Sequence, residues 1–204
     1  MQTLLDASAT KAEWLVKLTA GLPGGIGNTG AECGGVTAPL VLLGLRHARD
    51  PMHDGLPSIF EKGHDLLQRF AGCHGTTFCR EIRGTDRLPL RCVKAVRQAP
   101  EICAQTLSSD CSDVIPAASR DAYRRLYAHF IEKKFHCAHA VVHQMRPMNP
   151  VSQDVLDATA PFIGGTVLKG MTCSALTAGV MALGVALGEV ERSRLRVLRM
   201  IGTM

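Results

Sequence analysis

Two stretches of this chain, GGIGNTGAECGGVTAPLVLLGL (Gly24–Leu45) and GGTVLKGMTCSALTAGVMALGV (Gly164–Val185), align without a gap. Gly24, Gly25 and Gly30 fall on Gly164, Gly165 and Gly170. Cys33 falls on Cys173, Thr37 on Thr177, Ala38 on Ala178 and Gly44 on Gly184. Upstream, Thr19 and Ala20 fall on Thr159 and Ala160. A repeat of this length points to a duplicated module. Each copy runs a Gly-rich loop into a cysteine at the mouth of an apolar helix of small residues.

Composition sets the frame for that module. The chain has 204 residues, enough for one domain or two modules of about 100 residues each. Only 4% of the residues are aromatic, against 46% hydrophobic, so the core must be built from Leu, Val, Ala, Ile and Met. That composition favours packed helices over a β-sandwich. The formal charge of +5 is spread along helical spacings at Arg120–Lys134 and Arg192–Arg199. A dense basic stripe with stacking aromatics is missing, which argues against nucleic-acid binding.

The start, MQTLLDASATKAEW, lacks the charged-then-apolar pattern of a signal peptide. The longest uncharged run, Gly170–Gly188, is rich in Gly, Ala, Ser and Thr. It reads as a central helix rather than a membrane span. A cytoplasmic location is therefore expected. Eight cysteines are many for such a protein. Without a secretion signal, metal binding or redox chemistry is a better first reading than a disulfide scaffold.

Helical periodicity appears over 3–20, 57–71 and 117–145, and again in a basic tail over 189–200. Leu40–Leu45 continues as helix beyond Pro39. Pro89 opens a helix carrying Cys92, and Pro100 is expected to end or kink it. Gly72–Asp86 reads as a polar loop, Ser108–Pro116 as a linker, and Ser152 as a helix cap. Period-two alternation is almost absent. The expected fold is an all-α helical bundle made of two incomplete repeats. The first half-module covers 1–112 and the second 117–204, and the two are compatible with one compact domain.

The cysteines lie in a recognisable frame. The second copy offers FHCAHAVVHQM (Phe135–Met145) with Cys137, then GMTCSALTAGVMALG with Cys173. The first offers GAECGGVTAPLVLLG with Cys33, then FAGCHGTTFCREIRG (Phe70–Gly84) with Cys79, then LRCVKAVRQAPEI with Cys92. This pattern resembles the C-GCAxxG-C-C family of redox-active proteins, and a related module of split-Soret cytochromes. By that resemblance Cys137 matches the family's first cysteine, Cys33 and Cys173 its second, Cys79 its third and Cys92 its fourth. The centre departs from the motif. Glu32 or Thr172 stands where the family has Gly before the cysteine, and Thr37 or Thr177 replaces the later Gly. The small residue after the cysteine is kept as Gly34 or Ser174. The first copy shows no leading cysteine, and the second shows no Cys-Arg-Glu tail.

The resemblance implies a redox-active protein that passes electrons or reducing equivalents to a partner, with transporter systems among the family's associations. Cys33, Cys79, Cys92, Cys137 and Cys173 are the redox or ligand candidates. The order of the copies suggests a complete site in which Cys137 and Cys173 face Cys79 and Cys92, with Cys33 at the pseudo-symmetric position. A homodimer is another way to unite complementary pieces.

Three chemistries stay open: a cycling dithiol, a metal or iron–sulfur cluster on Cys79, Cys92, Cys137 and Cys173, and structural disulfides. Cys33 and Cys173 stand at helix N-termini, which favour a thiolate. They are equally the small side chains that close helix packing needs. Arg80 and Arg83 flank Cys79 with positive charge. Cys103 reads as core, Cys111 as linker, and Cys73 is near enough in sequence to Cys79 for a local disulfide. His136, His139 and His143 share one face of the expected helix, and His139 with His143 has the spacing of zinc-binding helices. The Glu of a metalloprotease is absent. No Cys-x-x-Cys-His is present, so covalent c-type haem is not expected. The alternative to a redox role is a non-catalytic helical assembly module with structural cysteines.

Overall fold

The computed structural model describes residues 13–48, 55–85, 90–109, 121–122, 125, 136–145 and 152–187. Eight helices are delimited among them: α1 (Glu13–Leu18), α2 (Gly34–His47), α3 (Gly55–His74), α4 (Cys79–Arg83), α5 (Leu90–Ser108), α6 (Cys137–Gln144), α7 (Gln153–Thr159) and α8 (Ser174–Leu187). No strand occurs among the described residues, so the all-α expectation holds. No helix there is long and apolar enough to cross a membrane. Cys111 and the expected tail helix lie outside the described residues.

The repeat is structural as well as textual. The same offset that relates the sequences carries α2 onto α8 and the start of α1 onto that of α7. Between paired helices the backbone coils through left-handed conformations. Gly24, Gly25, Ile26, Gly27 and Asn28 have φ of 75°, 81°, 40°, 71° and 61°. Gly164, Gly165, Thr166, Val167 and Leu168 have 54°, 66°, 60°, 45° and 61°. Left-handed helix costs an L-residue about 1–2 kcal/mol, which is why the loops are glycine-rich. In both copies the turn closes with the same bond, Gly30 N to Gly24 O and Gly170 N to Gly164 O, each 3.0 Å. The glycines therefore shape a turn between helices.

The two halves pack by exchange. α2 of the first lies on α7 of the second, and α8 of the second lies on α1 of the first. Glycine makes both crossings possible. A Cβ added at Gly44 would lie 2.2 Å from the Asp157 carbonyl oxygen, and one at Gly184 would lie 2.4 Å from that of Lys17. Lys17 and Asp157 are themselves equivalent positions, so the two contacts are mates under a pseudo-twofold axis. Glu32 marks that axis, because it bonds to its own equivalent 140 residues away. Its carboxyl group accepts from Thr172 N at 2.7 Å and Thr172 Oγ1 at 2.5 Å.

One hydrophobic core runs through both halves and includes Leu18, Ile26, Leu40, Phe60, Phe70, Phe162 and Met181. Three of the six phenylalanines are among its most deeply buried side chains. Each such ring contributes about 1.5–3 kcal/mol by leaving water. α3 rests on α2 and α5. Its Lys62 Nζ donates to the carbonyls of Thr106, Leu107 and Ser109 at 3.1, 3.1 and 2.9 Å, closing the C-terminal end of α5. Its His64 Nε2 donates to Val167 O at 2.9 Å and so grips the second left-handed turn.

Three local expectations need correction. α5 does not end at Pro100 but continues to Ser108. The bond that proline forfeits would have gone to the carbonyl of Val96, an exposed residue that water can serve. The polar stretch Gly72–Asp86 is partly helical, because α3 extends to His74 and α4 forms around buried Cys79 and Ile82. The helix expected to run unbroken to Met145 is interrupted at His136. That residue is extended (φ −74°, ψ 99°) and caps α6 with its own ring.

A buried thiol pair and its cleft

The segment after α3 doubles back beside the first Gly-rich turn. Thr76 to Arg80 runs antiparallel to Gly30–Cys33 through an isolated bridge between Glu32 and Phe78. Cys33 N donates to Thr77 O at 2.8 Å, Cys79 N to Ala31 O at 2.7 Å, and Arg80 N to Gly30 O at 3.0 Å. Thr76 Oγ1 holds the bend by accepting from Phe78 N at 3.1 Å and donating to Glu81. Cys33 and Cys79 come together as a result. Both are buried, with 3% and 7% of their surface exposed. α5 packs on α4 and carries half-buried Cys92 within electrostatic reach of both.

The two thiols differ sharply in acidity. The hydrogen bond with Cys33 stabilises a thiolate on Cys79, and Arg83 adds a favourable charge. Together they outweigh burial and bring Cys79 down to about 7. Cys33 moves the other way. Its hydrogen bond with Cys79 is the first cause and burial the second, and they hold it far above the usual thiol range. The Cys33 sulfur also accepts from Gly35 N at 3.4 Å as the N-cap of α2, but that cap is too weak to reverse the shift. Cys92 is raised by burial first and by the neighbouring Cys79 charge second.

The remaining candidates lie elsewhere. Cys137 is the first residue of α6 and Cys173 immediately precedes α8, and both are exposed. Neither is among the groups acting on Cys33, Cys79 or Cys92. The cysteines brought together are thus Cys33 and Cys79, with Cys92 within electrostatic reach. Cys103 is buried and pushed up to about 11 by burial alone, as a core thiol would be. Cys73 is an exposed free thiol.

His136 and His139 stack with ring centroids 3.8 Å apart and planes 7° off parallel. His136 Nε2 donates to Ala160 O at 3.1 Å, while its Nδ1 accepts from His139 N at 3.3 Å. Burial, with His139 beside it, lowers it to about 3, so it is a neutral clasp between α6 and the end of α7. His139 Nε2 donates to Leu156 O at 2.9 Å, and His143 is exposed. Among the described residues no three His, Cys, Asp or Glu side chains converge as donors for a metal ion.

Two features were not read from the sequence. One is the pairing of Cys33 with Cys79. The other is the cleft beside it, an opening of about 510 Å³ lined by Asn28, Thr29, Cys79, Arg80, Arg83 and Thr85 among others. The repeated Gly-rich turn and the Cys-Arg-Glu segment were both visible, but nothing local says that one covers the other.

An all-α protein of two exchanged repeats, with a buried thiol pair at one centre, is the class that fold and site define. The family model described as "Putative redox-active protein (C_GCAxxG_C_C)" matches residues 1–120 and 135–204, and the chain belongs to that family. The resemblance read from its cysteine frame is thereby borne out. No curated protein and no solved structure matches the chain.

Proposed function

We propose that the chain is a thiol–disulfide redox protein whose working pair is Cys79 and Cys33, with Cys92 as a neighbouring thiol. The observation that carries this reading is the laying of the Cys79 segment across Cys33 by three backbone bonds, which buries both thiols beside one cleft. Cys79 is the attacking thiolate, since it is ionised at neutral pH and borders an open cleft. Cys33 is the resolving thiol. It stays protonated until its partner sulfur is engaged in a mixed disulfide. Loss of the thiolate then removes the main reason for its raised pKa. In a reducing cytoplasm the pair rests as the dithiol and gives two electrons to an oxidised partner.

Mild oxidation of the whole protein followed by peptide mapping tests this. The expected product is a Cys33–Cys79 disulfide, and Cys79→Ser should abolish it. Independent oxidation of the cysteines with no such linkage would overturn the reading. The pH dependence is equally specific. Alkylation of Cys79 should rise as pH passes about 7, because the thiol predominates below and the thiolate above. Cys33→Ala should move that rise to higher pH by removing the donor. Cys33→Ser should keep most of it low, since a hydroxyl still donates, while making the disulfide impossible.

A further inference from the structure

The cleft beside Cys79 bears on what the pair reacts with. It is bounded by the first left-handed turn on one side and by α4 on the other. Its volume of about 510 Å³ falls in the range of small-molecule sites. Arg80 and Arg83 both line it and both are exposed. Arg83 is near enough to act on the charge of Cys79 and Cys92. The Arg80 guanidinium lies over the Phe78 ring, 5.3 Å from its centroid, which limits its freedom. Among the described residues no Asp or Glu lines the cleft, and no carboxylate pairs with either arginine. Glu81, the acid between them, is engaged by Thr76. Asn28, Thr29 and Thr85 add neutral polar side chains to the walls.

The geometry points to a small disulfide bearing carboxylate groups as the oxidant that this cleft accepts, with Arg80 and Arg83 as its anion-recognising residues. The inference rests on the thiol–disulfide reading above. Two guanidinium groups beside one nucleophilic sulfur match a molecule whose anionic groups flank its S–S bond. In the reaction the Cys79 thiolate attacks one substrate sulfur. The substrate S–S bond breaks, a mixed disulfide forms on Cys79, and the first half leaves as a thiolate. The Cys33 sulfur then attacks the Cys79 sulfur and gives its proton to the departing second half. The substrate disulfide is reduced to one thiol and one thiolate. Cys79 and Cys33 are oxidised to a disulfide, so electrons, protons and charge balance.

The experiment compares three disulfides of similar size on the whole reduced protein: dithiodiglycolate (anionic), bis(hydroxyethyl) disulfide (neutral) and cystamine (cationic). The readout is the rate of Cys33–Cys79 disulfide formation, each rate divided by that of the same reagent with a simple free thiol. The dianion should react about tenfold faster than the dication. In the double variant Arg80→Gln, Arg83→Gln the ratio of anionic to neutral rates should fall towards one. The neutral reagent corrects for any change in the Cys79 thiolate fraction, and an unchanged far-UV circular dichroism spectrum and denaturant midpoint show that the variant is folded. Arg80→Glu, Arg83→Glu should reverse the preference in favour of cystamine. Equal normalised rates for all three reagents in the wild type would overturn the substrate inference and leave the thiol pair standing. Failure of every reagent to link Cys33 to Cys79 would overturn both.

Discussion

Cys33 and Cys173 begin equivalent helices after equivalent left-handed turns, yet one is 3% exposed and the other stands in solvent. Their backbones agree in detail: in both copies the nitrogen four residues on, Thr37 or Thr177, donates to the cysteine carbonyl at 3.1 Å. What separates them is cover. A Cβ at Gly30 would sit 2.8 Å from Arg80 Cβ, whereas one at Gly170 would meet nothing within 4 Å. The first centre carries the Cys-Arg-Glu segment as a lid, and among the described residues the second centre has none there. Local sequence determines the turn and the helix start. The chemistry of the cysteine comes from the segment laid across it.

Four measurements would break or sharpen this comparison. The largest effect is expected at the axis. Glu32→Ala strips both Thr172 donors of their acceptor in a fully buried position, so stability should fall by about 3 kcal/mol in denaturant unfolding. A loss below about 0.5 kcal/mol would mean that the contact does not hold the halves together. Next comes thiol access. In the native protein iodoacetamide should label Cys173 at least about a hundredfold faster than Cys33, and the two rates should converge on unfolding. Similar native rates would remove the distinction between a covered and an open centre.

The crossing glycines test the symmetry itself. Gly44→Ala and Gly184→Ala should each cost about 2 kcal/mol, because the added methyl meets backbone rather than a yielding side chain. Markedly unequal losses would show that the two crossings are not mates. The smallest effect belongs to the turns. Thr166→Gly relieves a left-handed residue whose buried hydroxyl has no partner, for an expected gain of about 1 kcal/mol. Ile26→Gly at the equivalent place should instead destabilise, since it removes a core side chain that is 1% exposed. A loss from both would argue that strain in the second turn is negligible.

Much of the architecture was legible because it is written locally. The paired glycines marked the turns, the apolar small-residue runs marked α2 and α8, and scarce aromatics pointed away from sheet. Pro100 misled, since its cost depends on whether Val96 faces solvent. His136 misled in the opposite sense. Its spacing to His139 fits a helix face, but its ring is more useful as a cap that also reaches the Ala160 carbonyl. The cysteine frame identified Cys33, Cys79 and Cys92 as candidates without saying that they meet. The meeting of Cys33 with Cys79 depends on three backbone bonds between segments more than forty residues apart, which no periodicity reveals.

The bond between Glu32 and Thr172 has a further meaning for how these halves choose each other. At the two crossings the copies offer the same residue, Gly44 or Gly184, and there like could pair with like. At the Glu32–Thr172 contact they differ. Two halves of the first kind would press carboxyl against carboxyl, and two of the second kind would leave their hydroxyls with no acid to bind. Only the unlike pairing is satisfied. The difference between Glu32 and Thr172 thus makes this contact one that recognises its complement.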